Sequence, residues 1–198
     1  MSGLRVIGLT GSIGMGKSTT AAMFARRGVP VHSSDAAVHR LYSGEAVAAI
    51  KAAFPGATVA GAVDRARLAE RVVGDPQALA RLEAIVHPLV RQSEEAFLAK
   101  ARAEGHRLAL IDVPLLFETD AAGRFDAIVV VTADPEVQRA RVLARPGMTE
   151  AKLASLLARQ VPDQEKRRRA HFLVDTGRGL TAAEHEVDAV VRALAGLP

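Results

Sequence analysis

Eight residues near the start of the chain restrict its fold more than any other feature. Gly11-Ser12-Ile13-Gly14-Met15-Gly16-Lys17-Ser18 fits the pattern G-x-x-x-x-G-K-[ST] without a mismatch. The short aliphatic run Leu4–Leu9 precedes it, and residues of helical composition, Ser18–Arg27, follow it up to Gly28. Glycines let backbone N–H groups approach and encircle phosphate oxygens, and the helix N-terminus behind them favours negative charge. The pattern therefore predicts a strand, a phosphate-binding loop and a helix. Lys17 is expected to bridge β- and γ-phosphates and the Ser18 hydroxyl to ligate Mg²⁺, with Thr19 continuing the turn. ATP and Mg²⁺ are the expected cofactors.

The order of segments extends this start into a fold. Val29–His32 reads as a second short strand, which completes a βαβ unit and implies a parallel sheet buried on both faces. From Asp35 to Glu104 the composition turns helical, with punctuation at Phe54-Pro55-Gly56, Gly74-Asp75-Pro76 and His87-Pro88 and no convincing strand. Strand character returns at Leu108–Val113, Ala127–Thr132 and Phe172–Val174. Asp134-Pro135 can cap and open a helix that Arg145-Pro146-Gly147 breaks, Thr149-Glu150 opens another, and a closing helix runs around Ala182–Leu194. The expected fold is α/β: a P-loop three-layer α/β/α architecture with a five-stranded parallel sheet, a helical substrate-binding insertion and a small helical lid. The expected core is 1–35, 105–136 and 166–198, with the insertion at 36–104 and the lid at 137–165.

Composition narrows the class. The 198 residues suit one domain and 49% of them are hydrophobic, so a packed core is available and a largely disordered chain is excluded. Cysteine is absent, which removes disulfides and thiolate metal sites and is compatible with a reducing compartment. No basic region precedes the apolar N-terminal run, and no stretch reaches the roughly 18 apolar residues of a membrane span. A cytoplasmic protein with no membrane partner is the expectation. The net charge of +4 invites a nucleic-acid reading, but residues 139–169 alone hold nine Lys and Arg against Glu150, Asp163 and Glu165. Aromatics make up only 4%, which leaves few stacking platforms for single strands. A local basic cluster fits a polyphosphate better than a long polyanion, so no nucleic-acid partner is expected.

Within P-loop proteins, a GTPase would carry N-K-x-D and a transporter-type ATPase an L-S-G-G-Q-like signature; neither occurs. A small-molecule kinase needs an acceptor pocket, a base near the acceptor hydroxyl and mobile arginines over the transferred group. Asp35 follows the second strand, at the carboxyl edge where open α/β sheets bind ligands, and could take or orient a hydroxyl proton. It reads equally as the N-cap of a helix beginning at Ala36. Asp112 ends the third strand, either near the water shell of a magnesium ion or tied to local backbone. Arg141 and Arg145, four apart on one helix face, could neutralise phosphates or simply be solvated. His87 before Pro88 reads as a helix terminus.

Several ordered motifs resemble one family. GLTGSIGMGKST at Gly8–Thr19, SSDAAVHRLY at Ser33–Tyr42, LEAIVHPLV at Leu82–Val90, DVPLLFE at Asp112–Glu118, QRARVLAR at Gln138–Arg145 and RQVPDQEKRRRAHFLVDTG at Arg159–Gly177 are similar to dephospho-coenzyme A kinases. The resemblance implies transfer of the ATP γ-phosphate to the ribose 3′-hydroxyl of dephospho-coenzyme A; a monomer or weak homo-oligomer is the expected state. It makes Asp35 the acceptor-side base and Lys17, Arg141 and Arg145 the other catalytic groups. It places His87 in the coenzyme-binding insertion, Pro114, Leu115 and Leu116 on the acceptor side, and Arg159 with Gln160 on the hinge side of the lid. Asp175 and Gly177 become adenine-side contacts. The chain departs from the family pattern at Ser33 and Thr176, where an acid and an amide are usual, and at His171, which replaces an acid. Another small-metabolite kinase, or a nucleotide-dependent switch with the basic segment on RNA, is the rival reading.

Overall fold

The computed structural model describes residues 3–196. The chain parts into two compact units, one made from the chain up to Val31 and from Ala101 onward, the other from His32 to Lys100. The first holds the nucleotide-type core. Its central strand β1 (Arg5–Thr10) runs straight into the glycine-rich loop and then α1 (Lys17–Arg26). Strands β2 (Val31–Ser33), β5 (Leu108–Asp112), β6 (Ala127–Thr132) and β7 (Phe172–Asp175) complete a five-stranded sheet in the order β2-β5-β1-β6-β7. β1 pairs in parallel with β5 and β6, and β6 in parallel with β7. The chain leaves β1 toward β2 on one side and leaves the neighbouring β5 toward β6 on the other, so the crevice at the carboxyl ends of β1 and β5 is the topological switch point.

The buried strands explain why this unit holds together. Every residue of β5 and β6 is buried, as a parallel sheet covered on both faces requires. Ile7, Leu9, Leu110, Val129, Val131 and Val174 form one face, packed with Met23 and Phe24 of α1 and with Val187 and Val190 of α9 (Leu180–Ala195). Against the other face lie Leu116 and Phe125, so close to Gly8 that a Cβ there would meet both at 2.8 Å. Each fully buried aliphatic side chain contributes about 1.5–3 kcal/mol relative to exposure. The remaining helices of this unit are α6 (Pro135–Leu143), α7 (Glu150–Leu157) and α8 (Asp163–Arg168). Pro135 opens α6, but Asp134 makes no side-chain capping bond, contrary to expectation. Thr149 does cap α7, accepting from Lys152 N.

The second unit is mainly helical: α2 (Ser34–Leu41), α3 (Ala46–Ala53), α4 (Arg65–Val72) and the 28-residue α5 (Pro76–Ala103), which runs on past the unit boundary. Leu41, Ile50, Phe54, Val63, Leu68 and Val86 form its core. Two features correct the sequence reading. The segment contains an antiparallel hairpin, β3 (Thr58–Val59) with β4 (Ala62–Val63). Its turn residues Ala60 and Gly61 both have positive φ, 49° and 80°, the two-residue hairpin geometry that matches strand twist. Pro88 does not end a helix but lies inside α5. It removes one backbone donor, and since Ala84, His87 and Pro88 are exposed, water can satisfy the carbonyl left behind.

Candidate active site

The loop between β1 and α1 is built to expose N–H groups. Met15 N bonds back to Ser12 O, and the first helical bond of α1 runs from Thr20 N to Gly16 O. The N–H groups of Lys17, Ser18 and Thr19 precede that bond and point to the open helix end. Gly16 is the N-cap, with φ 89° and ψ 19°, a left-handed conformation that costs an L-residue about 1–2 kcal/mol. Ser18 and Thr19 are exposed, Lys17 is partly exposed, and Gly11, Ser12, Gly14 and Met15 are buried.

Lys17 forms an ion pair with Asp112, whose side chain is 10% exposed. The sheet register accounts for the meeting: Leu9 lies opposite Asp112 across the β1–β5 ladder, so the end of β5 stands beside the start of the loop. Thr10 Oγ1 adds a bond to Pro114 O at 3.2 Å. The segment after β5 then divides. Leu115 is exposed, while Leu116 is fully buried under Gly8, so Leu115 rather than Leu116 is open to a ligand.

Glu118 ends that segment in an ion pair with Lys166 at 2.8 Å, and the Lys166 side chain is wholly buried. Glu118 Oε1 also accepts from Val161 N at 2.9 Å. Burial pushes the Glu118 carboxyl up, but the Lys166 ammonium and the Val161 N–H outweigh it and hold the group below its ordinary value. A carboxyl so depressed stabilises the fold above its unfolded pKa and loses that contribution as pH falls through the folded value. Glu118→Gln strands the buried ammonium, and we expect a loss of about 3–5 kcal/mol, read as a lower urea midpoint at unchanged slope. Adding Lys166→Met should recover most of it. An unchanged midpoint for Glu118→Gln would show that the pair carries no stability.

Arg141 is docked rather than free. Its Nη1 donates to Thr176 Oγ1 and its Nη2 to Thr176 O, both at 2.8 Å, and Thr176 Oγ1 donates to Met15 O at 2.7 Å. Arg145 does not share its helix face as expected, because α6 ends at Leu143; it is exposed, in the turn that follows. Arg159 is exposed, and its neighbour Gln160 accepts from Ile13 N at 3.2 Å. Asp175 turns its carboxylate into its own loop, where Oδ1 accepts from Gly177 N at 2.8 Å. His171 presents Nδ1 as acceptor to Ile128 N at 3.1 Å, so an imidazole continues the β6 edge where an acid was the expected type.

In the second unit, Asp35 is exposed in the first turn of α2. It is not the N-cap: α2 begins at Ser34, and Ser33 caps it by accepting from Ala36 N at 3.2 Å. His87 is exposed in the middle of α5.

Sequence reasoning found the phosphate loop but missed Gln138, Gln160 and Thr176 as residues bonded to it. Gln138 alone stands out locally, as a polar residue sharing the buried face of α6 with Val142, and even that does not name its partner; Gln160 and Thr176 carry no local signal.

Comparison with known proteins agrees with this geometry. Residues 5–181 match the family described as Dephospho-CoA kinase. A dephospho-CoA kinase of Mesorhizobium japonicum is 65% identical over 191 residues, 96% of this chain and 97% of that protein. Another from Rhodopseudomonas palustris strain HaA2 is 58% identical, over 98% of this chain and 97% of its own. Among solved structures, that of TT1252 from Thermus thermophilus superposes with a TM-score of 0.86 at 35% identity, covering 99% of both chains. A full-length sequence match, a shared fold and an intact phosphate loop converge on one conclusion: the chain belongs to the dephospho-CoA kinase family.

Proposed function

We propose that the chain transfers the γ-phosphoryl group of ATP to the ribose 3′-hydroxyl of dephospho-coenzyme A, giving coenzyme A and ADP. The observation that carries this reading is the Lys17–Asp112 pair at the mouth of the loop, in a chain similar to this family over its length. The N–H groups from Gly14 to Thr19 hold the phosphates, and Lys17 sets a positive charge against the β/γ bridge. Catalysis is mainly positioning and charge neutralisation in an in-line transfer.

The donor set fits magnesium. Ser18 offers an exposed hydroxyl and Asp112 a strand-end carboxylate, and no cluster of three or more His, Cys, Asp or Glu that could hold a metal occurs among the described residues. Few hard protein oxygens suit an ion that keeps waters and takes its other ligands from phosphates. Bound there, Mg²⁺ would neutralise charge on the phosphates. On the acceptor side we assign Asp35 as the group that orients or deprotonates the hydroxyl, with His87, Pro114, Leu115 and Arg159 as substrate contacts. Asp175 and Gly177 are assigned to the adenine side. A cytoplasmic monomer or weak homo-oligomer completes the reading; among the described residues no helix is long and apolar enough to cross a membrane.

A coupled assay offering ATP and Mg²⁺ with dephospho-coenzyme A, nucleosides or shikimate tests the assignment. Turnover of dephospho-coenzyme A alone is expected, and turnover of another acceptor in its place overturns it.

The two arginines separate by experiment. Arg145→Ala should leave stability within about 0.5 kcal/mol, because the side chain is exposed, while slowing single-turnover transfer by about 10²-fold. Arg141→Ala should in addition weaken nucleotide binding, since its guanidinium is tied to Thr176. If both variants keep wild-type kinetics, the basic segment is a solvated surface.

A further inference from the structure

In a planar trans peptide the carbonyl of one residue and the N–H of the next point in opposite directions. Whatever holds a carbonyl on the outside of the phosphate loop therefore aims an amide at its inside. Two carbonyls of this loop are held by side chains remote in sequence. Ile13 O accepts from Gln138 Nε2 at 2.7 Å, and Met15 O accepts from Thr176 Oγ1 at 2.7 Å. Those peptide planes carry the N–H groups of Gly14 and Gly16.

The contacts around them form a cradle. Gln138, Arg141 and Val142 lie at i, i+3 and i+4, one face of α6. A Cβ on Gly14 would lie 2.5 Å from Val142 Cγ2 and 3.1 Å from Gln138 O, so the loop is pressed onto that face. A Cβ on Gly16 would lie 3.2 Å from both Cγ2 and Oγ1 of Thr176. Arg141 has donors only, so the Thr176 oxygen must accept from it. That leaves the single hydroxyl proton for Met15 O at 2.7 Å, in preference to Thr132 O at 3.4 Å. Both Gln138 and Thr176 are buried, away from competing water.

We propose that Gln138 and Thr176 are positioning residues for the nucleotide: they hold two peptide planes of the loop so that the Gly14 and Gly16 N–H groups face the phosphates. Arg141 fixes the direction of the Thr176 hydroxyl. This rests on the reading that the loop binds nucleotide phosphates, and it is independent of the acceptor's identity.

The test uses Thr176→Val, which keeps the shape and removes the hydroxyl, Thr176→Ser, which restores it, and Gln138→Met. ADP binding with Mg²⁺ is measured by calorimetry without acceptor, beside melting curves and separate KM values for ATP and dephospho-coenzyme A. Thr176→Val and Gln138→Met should each weaken ADP binding by about tenfold, the factor that one ordinary hydrogen bond supplies. Thr176→Ser should return it to within about twofold of wild type. KM for ATP should rise while KM for dephospho-coenzyme A stays constant. A purely structural role would lower the melting temperature and leave ADP affinity of the folded protein alone. Folded Thr176→Val or Gln138→Met binding ADP like wild type overturns the proposal; should Thr176→Val fail to fold, Gln138→Met and Thr176→Ser decide it. A wild-type protein that binds ADP but leaves dephospho-coenzyme A unphosphorylated would sink the acceptor assignment and not this one.

Discussion

Lys17→Ala should lower turnover by about 10²–10³-fold or more, because it removes the charge proposed to stand against the β- and γ-phosphates in the transition state. The structure adds a second expectation. Lys17 is the ion-pair partner of Asp112, and its loss leaves a carboxylate that is 10% exposed without a counter-charge. The site opens to solvent at Lys17, so the penalty should fall below the range of a fully buried pair. A modest drop in melting temperature is expected, restored by adding Asp112→Asn while activity stays lost. That pattern separates chemistry from folding. Near-normal turnover by folded Lys17→Ala would remove the phosphate-loop chemistry altogether.

Asp35→Asn should cut the single-turnover rate by about 10²–10⁴-fold with ATP binding close to wild type, if the carboxylate orients or deprotonates the acceptor hydroxyl. The structure makes this substitution cleaner than the sequence suggested. The cap of α2 belongs to Ser33 through its bond to Ala36 N, so Asn at position 35 disturbs no capping bond. What it removes structurally is one negative charge in the first helical turn, about 0.3–1 kcal/mol of favourable dipole interaction. Ser33 also stands where the family pattern has an acid, which leaves Asp35 as the acid of that loop and should deepen the defect. Transfer at the normal rate would leave the acceptor base unassigned.

What the sequence disclosed and what it concealed divide along physical lines. The phosphate loop was legible because its backbone demands glycine at fixed spacing, and Gly16 sits in the left-handed conformation that the spacing implied. The sheet was legible because strands buried on both faces read as unbroken aliphatic runs; AIVVVT became β6 residue for residue. The hairpin at Thr58–Val63 escaped because its strands are two residues long and Ala occupies a turn position that usually takes Asn, Asp or Gly. Pro88 reads locally as a helix end, but the packing of Val86 and Ala78 carries α5 through it. In the site, single residues were visible but pairings were not. Nothing local couples Gln138 to Ile13 or Thr176 to Met15, since side chains that satisfy a distant loop's carbonyls leave no periodic trace.

The place of β6 in the sheet also governs how the chain can be made. Ala127–Thr132 is six residues of apolar and β-branched type without charge or proline, the composition of a segment that self-associates when its edges are open. It needs a neighbour on each side. β1 has left the ribosome long before, but Phe172–Asp175 comes some forty residues later, and the helix that packs on that part of the sheet, Leu180–Ala195, comes later still. During synthesis β6 therefore presents one bare edge, and a face only partly covered by α1, until Phe172–Asp175 and Leu180–Ala195 emerge. Leu180–Ala195 reaches the proposed site through Glu186, which accepts from Asp175 N, and its packing also closes the interval in which β6 is prone to aggregate.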